Sequence, residues 1–152
     1  MLIYPESTQS NGKYLLPFKR GAFAGLKAVK PVVLTYESNE WGSLAWDCMG
    51  WLDHALLTYS MPQIAQAKMI ELPPFLPNDY LLETHKDKGA SKWEIYAWAV
   101  RDVMSKASGK PTIEEDARDK AEFKQFMCGK IDVLEKNGVK IVAPDSKKLH
   151  KE

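Results

Sequence analysis

A carboxylate, a cluster of short hydroxyl and amide side chains and an adjacent pair of cations stand within the first twenty residues of this chain. Glu6, Ser7, Thr8, Ser10 and Asn11 fall in one polar run that Gly12 closes, and Lys19-Arg20 follows beyond an apolar patch. Short hydroxyl and amide side chains offer donors and acceptors to a phosphate or an alcohol. Lysine and arginine supply positive charge to phosphate oxygens, and arginine's planar fork is the better bidentate partner. An apolar strand-like run (Leu2, Ile3, Tyr4) that opens into such a cluster is a common way to build a ligand site. A carboxylate is the odd member of an anion site. Two roles stand open to Glu6: pinning a cation or a substrate hydroxyl, or capping the turn's own N–H groups.

The order of these residues resembles the phosphate-site motif of the glycerolipid acyltransferases, the PlsC-like family. Tyr4-Pro5-Glu6-Ser7-Thr8 is similar to that family's aromatic-Pro-Glu-Gly-Thr turn. Phe18-Lys19-Arg20-Gly21-Ala22-Phe23 is similar to its Phe-Lys-x-Gly-Ala-Phe, and Val29-Lys30-Pro31-Val32-Val33 to its Val-x-Pro-Val strand. The Asn11-Gly12 pair and the stretch from Trp41 to Trp46 look most like the lysophosphatidylcholine and related lysophospholipid acyltransferases. The resemblance is clear over residues 1–50 and weaker to residue 110.

The resemblance implies transfer of an acyl group from acyl-CoA, a co-substrate rather than a bound cofactor, to the free hydroxyl of a lysophospholipid. Such a transfer needs a base for the attacking alcohol, stabilisation of the oxyanion and a positioned acceptor. In the family the base is the histidine of a His-x-x-x-x-Asp motif, and the Pro-Glu-Gly-Thr region holds the glycerol-phosphate. Carried over by position, Glu6, Ser7, Thr8, Ser10, Asn11, Lys19 and Arg20 are the substrate-binding residues.

The chain departs from the pattern at three points. Ser7 stands where the family usually has glycine, which restricts the turn if that position needs φ > 0. Gln9 stands where some members carry arginine, although the lysophosphatidylcholine branch often has a neutral residue there. Above all, no His-x-x-x-x-Asp exists: His54 is followed five positions on by Tyr59, His85 by Ala90, and His150 lies too near the end. These three read as a packed or helix-surface residue, a loop residue and a tail residue. No catalytic residue is carried over. The expectation is the acceptor-binding half of an acyltransferase domain, with Met1 internal to a longer protein, inactive and poorly soluble by itself. A non-catalytic phospholipid-binding or regulatory remnant of the same fold is the alternative.

Composition sets the outer bounds. A net charge of +1 argues against a nucleic-acid partner. No stretch reaches the ~20 apolar residues of a membrane-spanning helix, and the N-terminus has no signal-peptide pattern. Cys48 and Cys128 lie far apart, as free thiols of a reduced, intracellular protein do, and neither sits in a zinc-type cluster. The resemblance implies association of the full-length protein with a membrane of the endoplasmic-reticulum type. No nucleophile elbow, P-loop or dinucleotide fingerprint is present.

The elements that must position the polar turn follow from hydropathy. The fold expected is α/β, an incomplete PlsC-like domain over residues 1–110 with a short mixed sheet flanked by helices, then a charged helical extension over 111–152. Residues 2–4 read as a strand. Val29 to Tyr36 reads as a central strand covered on both faces, and Ala65 to Leu72 as another, stopped by Pro73-Pro74. Trp41 to Met61 turns helical after Asp53. Its aromatics are either core or an interfacial patch for a membrane. Lys86 to Ala90 is a charged loop. Ser91 to Ser108 is the strongest helix, with a Ser91/Glu94 capping box and one apolar stripe (Trp93, Ala97, Val100, Met104, Ala107). Thr112 and Glu115 form a second capping box before a helix toward Cys128, stopped by Gly129. A short helix over Ile131 to Asn137 and an extended Val139 to Ala143 complete the reading.

Overall fold

A computed structural model describes residues 1–8, 10, 12–38, 51–60, 65–136 and 138–142. They form two compact units, residues 1–114 and 115–152. The element order is β1 (Val32–Ser38), α1 (Trp51–Ser60), β2 (Ala65–Glu71), α2 (Asp79–Thr84), α3 (Lys92–Ser108), α4 (Ala117–Met127), β3 (Val133–Lys136) and β4 (Val139–Val142), with 3-10 turns at Arg20–Ala22 and Lys86–Lys88. Helix and small sheets are both present, as an α/β reading requires.

Helix α3 organises the first unit. The Glu94 carboxylate accepts from the backbone N–H of Ser91 at 3.0 Å and of Ala90 at 2.6 Å, so the expected carboxylate half of the capping box is made. Gly109 ends the helix at φ +68, a left-handed cap that glycine adopts without Cβ strain. The buried face is wider than one stripe. Ile95, Tyr96, Ala97, Ala99, Val100, Arg101 and Met104 are all buried, whereas Ala107, the last member of the expected stripe, is exposed. The breadth has a cause: segments from both the N-terminal region and the β1–β2 region pack on this helix.

Tyr96 is fully buried at the centre of that core. Its ring meets Phe23 edge-on, centroids 5.3 Å apart, and stacks on Phe75 at 5.9 Å, while Phe18 stacks on Phe23. Such pairs add to the burial energy of the rings themselves. Its hydroxyl lies 2.9 Å from the Lys27 carbonyl and 2.8 Å from the Phe75 carbonyl. Val29 and Phe75 exchange backbone hydrogen bonds at 2.9 and 2.7 Å. One phenol therefore ties the segments leading into β1 and out of β2 to α3.

β1 and β2 pair antiparallel, with Val33 opposite Ile70 and Leu34 opposite Met69. Pro31, with no N–H to donate, precedes β1, and Pro73-Pro74 follows β2, as expected. The expected mixed sheet is corrected: among the described residues there are two separate two-stranded antiparallel sheets. The expected burial of both faces of β1 is corrected too. Val33 is buried against the core with Ile70 packed beside it, but Leu34, Tyr36 and Met69 on the other face are exposed. A continuous apolar run implies cover on two sides; only one side has a layer among the described residues.

Leu2, Ile3 and Tyr4 form no strand, and all three are exposed. A β-conformer is held by ladder partners, and none of the described segments supplies them. Helix α1 begins at Trp51, slightly before the expected transition after Asp53. Trp51, Leu52, Leu56 and Tyr59 are exposed, which removes them from the core reading. Trp41, Trp46 and Cys48 lie outside the described residues. Asn78 caps α2 through its side-chain oxygen, which accepts from Leu81 N–H at 2.8 Å.

In the second unit the helix starts later than the Thr112/Glu115 box predicts. Asp116 is the N-cap: its carboxylate accepts from Arg118 N–H at 2.7 Å, and Asp119 accepts from Asp116 N–H at 2.6 Å. Residues 111–113 are taken up by backbone pairing with Leu15 instead. Gly129, at φ +68, stops the helix as expected. The helix expected over Ile131 to Asn137 is replaced by strand β3, which forms a hairpin with β4. Asn137-Gly138 between apolar runs is a strong hairpin signal, and Gly138 takes φ +77. The Lys136 ammonium pairs with Asp119 at 2.8 Å and, as the main cause, holds that carboxyl below its ordinary range. Cys128 is a free, exposed thiol.

Removing the Tyr96 hydroxyl takes a donor from the Lys27 carbonyl and one of two donors from the Phe75 carbonyl, which keeps the Val29 N–H. Tyr96→Phe is expected to cost about 1–2 kcal/mol, and Tyr96→Ala, which also opens a cavity, about 3–5 kcal/mol. Urea unfolding followed by circular dichroism checks both.

Candidate functional site

The polar run is built on a tight turn. Ser7 N–H donates to the Tyr4 carbonyl at 3.3 Å, closing Tyr4-Pro5-Glu6-Ser7. Proline at the second position suits this closure because its φ is already fixed. Ser7 itself sits at φ +57, in the left-handed region. This is the position where the motif usually has glycine, and the turn does demand the conformation that glycine provides freely.

Two hydrogen bonds lay the turn against the apolar segment before the basic pair. Lys19 N–H donates to the Pro5 carbonyl at 2.8 Å. The Glu6 carboxylate accepts from the Leu16 backbone N–H. The backbone thus brings the turn and the Lys19-Arg20 segment side by side. Thr8, Ser10 and Lys19 are half-buried, while Ser7 and Arg20 are exposed. Ser10 Oγ accepts from Gly12 N–H at 3.2 Å. Asn11 and Gln9 lie outside the described residues. Glu6 serves as a cap, but the N–H it engages is that of Leu16 rather than one of the turn's own.

Burial is the main influence on Glu6 and pushes its carboxyl above the ordinary value. The Leu16 N–H, Lys110 and Arg101 oppose that rise, in that order. Lys110 and Arg101 are cations that the motif-based reading omits. Arg101 lies on the buried face of α3 and is only 8% exposed. Its Nη2 donates to the Leu15 carbonyl at 3.1 Å and to the Ile113 carbonyl, and its Nη1 to the Glu114 carboxylate at 3.4 Å. Leu15 in turn pairs with the chain after α3: its N–H donates to the Pro111 carbonyl at 3.0 Å, and its carbonyl accepts from Ile113 N–H at 3.2 Å. A sequence signal for Arg101 exists. It stands four residues after Ala97 and three before Met104, which places it on the apolar face.

Over 120 residues, 78% of its length, the chain is 34% identical to lysophosphatidylcholine acyltransferase 1 of Danio rerio. It is 33% identical over 69% of its length to lysophospholipid acyltransferase LPEAT1 of Arabidopsis thaliana. It is 38% identical over 75% of its length to lysophospholipid acyltransferase LPCAT4 of Mus musculus. The chain is related to the lysophospholipid acyltransferases. It spans 22%, 24% and 20% of the length of these three curated relatives. No protein-family model matches the chain. No solved structure matches it either.

For a relative of the lysophospholipid acyltransferases, two features outside the turn need placing. An open depression of about 520 Å³ lies between α2 and the start of α3. Asp79, Glu83, Lys86 and Lys92 are among its lining residues, and none of the turn residues is. It is an open, charged surface cleft with no link to the motif. His85 closes α2, its ring 5.1 Å from that of Trp98, and has a packing role. The His54 side chain and His150 lie outside the described residues. No helix among the described residues is long and apolar enough to cross a membrane.

The raised Glu6 carboxyl fixes the sign of a pH effect. The folded chain holds this proton more tightly than the unfolded chain, in which the group titrates near its ordinary 4.5. Its contribution therefore favours folding at low pH and is lost as pH rises above that value. Glu6→Gln keeps the Leu16 bond and abolishes this slope. The variant's stability relative to the parent should increase as pH rises from about 4 toward neutrality, as measured by urea midpoints. Ser7→Gly should stabilise the chain by about 1 kcal/mol or less, the relief of left-handed strain net of glycine's added unfolded-state entropy.

Proposed function

We propose that the Pro5 to Ser10 turn, with Asn11 and the adjoining Lys19-Arg20 segment, is the acceptor-binding half of a PlsC-like, acyl-CoA-dependent lysophospholipid acyltransferase site. The observation that carries this reading is the Lys19 N–H to Pro5 carbonyl bond, which unites the two parts of the motif across the intervening apolar patch. The relatives, which are lysophospholipid acyltransferases, supply the substrate class. In this reading the Lys19 and Arg20 cations face the acceptor phosphate, and the hydroxyls of Thr8 and Ser10 contact its oxygens or the glycerol. Burial raises the Glu6 carboxyl above its ordinary value, and the Leu16 N–H, Lys110 and Arg101 oppose that rise.

The chain contains no His-x-x-x-x-Asp, so no group here takes the proton of the attacking hydroxyl. Acceptor binding without transfer is the activity we assign to it. Association with a membrane belongs to the same proposal: Trp51, Leu52, Leu56 and Tyr59 of α1 are exposed, and indole and phenol rings favour the bilayer interface.

Incubated with lysophosphatidylcholine and radiolabelled acyl-CoA, the chain should yield no phosphatidylcholine; robust turnover would falsify the inactive reading. sn-Glycerol 3-phosphate should perturb the backbone amides of Glu6 to Thr8 and of Lys19-Arg20 in NMR spectra. Arg20→Ala should weaken that binding about tenfold, the scale of one charge-assisted contact.

A further inference from the structure

Arg101 is the buried charge that the acceptor motif does not include. It reaches Leu15 from inside α3, and the atoms it reaches are specific. The Leu15 carbonyl, which accepts from Arg101, and the Leu16 N–H, which donates to Glu6, belong to one peptide group. A cation on the oxygen side and a carboxyl on the nitrogen side polarise that group in the same sense, so each hydrogen bond strengthens the other. The second acceptor of the Arg101 fork, the Ile113 carbonyl, holds the other chain paired with Leu15. The plane of the Leu15–Leu16 peptide is therefore fixed from two sides.

Stability alone does not explain an arginine here. Arg101 Nε is buried and has no hydrogen-bond partner among the described residues, a cost that an apolar side chain in the same place would avoid. The ion pair with Glu114 offsets little, because that carboxylate is largely exposed to water. What the guanidinium does that an apolar residue cannot is orient the peptide to which Glu6 is bound.

Taking the turn as the acceptor site, we infer that Arg101 is its positioning residue, holding the Glu6 carboxyl in place through the single peptide that joins Leu15 to Leu16. Lys110 and Arg101 are the charged groups that act on Glu6. Lys110 contributes charge alone; Arg101 contributes charge and geometry. The acceptor turn is in this way coupled to the core helix by side-chain chemistry rather than by backbone pairing alone.

The test reads Glu6 directly in the full chain. Carbon-13 NMR follows the Glu6 carboxyl through its titration, and the Leu16 amide resonance is recorded in the same samples. Arg101→Met should move the Glu6 midpoint upward and shift the Leu16 amide. Arg101→Lys keeps the charge without the fork, so it should restore most of the midpoint but leave the Leu16 amide displaced. Tyr96→Phe destabilises the same core without touching this peptide and should move neither. If Arg101→Met does not fold, the Lys variant and the Tyr96→Phe control still decide. An unchanged Leu16 amide in both arginine variants, or equal changes in Tyr96→Phe, overturns the inference. Glycerol phosphate binding is scored separately: its absence in the parent chain defeats the acceptor reading, whereas the coupling of Arg101 to Glu6 is measured without ligand and stands or falls by itself.

Discussion

A buried guanidinium in the middle of α3 is the constraint on which the arrangement of the first unit turns. Arg101 lies on an apolar face, where an isolated charge is costly. The cost is offset by carbonyls brought to it: Leu15 from the N-terminal segment and Ile113 from the chain that leaves the helix. Those two strands of chain pair with each other at Leu15 and Thr112. Once Leu15 is fixed, Leu16 and Lys19 are fixed as well, and through them Glu6 and Pro5. The polar turn has no core of its own. Its position is inherited from the helix through this series of hydrogen bonds.

Tyr96 provides the second anchor from the same helix. Where Arg101 holds the chain before the basic pair, Tyr96 holds the chain after it, at Lys27, and the chain leaving β2, at Phe75. Between these anchors, Phe18 and Phe23 are buried, stacked side by side. The segment that carries Lys19 and Arg20 is therefore pinned at both ends by apolar rings, while the Arg20 side chain stays at the surface. A cation held on a fixed, short segment meets an anionic ligand with less ordering cost than one on a free loop.

The sequence made some of this legible and hid the rest for identifiable reasons. Helix α3 was readable because capping, periodicity and a glycine stop agree over many residues. β2 was readable from the prolines that bound it. Val139 to Ala143 reads as extended and β4 lies there, but β3 reads as a helix because a short apolar run carries no reliable period; the Asn137-Gly138 pair is the better signal. The late start of α4 could not be read from capping boxes alone, since two overlapping boxes compete and tertiary pairing of residues 111–113 with Leu15 selects the later one. Leu2 to Tyr4 have strand-like composition, yet a strand is a property of a pair.

The site divides along the same line. Local chemistry is written in neighbouring residues: the proline that sets the turn, the polar cluster, the adjacent cations and the missing His-x-x-x-x-Asp are all matters of type and spacing. The left-handed backbone at Ser7 was foreseeable only as a condition, and the turn's geometry met it. Which N–H Glu6 engages, which charges surround it and how Pro5 meets Lys19 were decided by the tertiary structure. These are contacts between segments far apart in the chain, and their energies depend on burial and distance, neither of which is a property of any residue taken by itself.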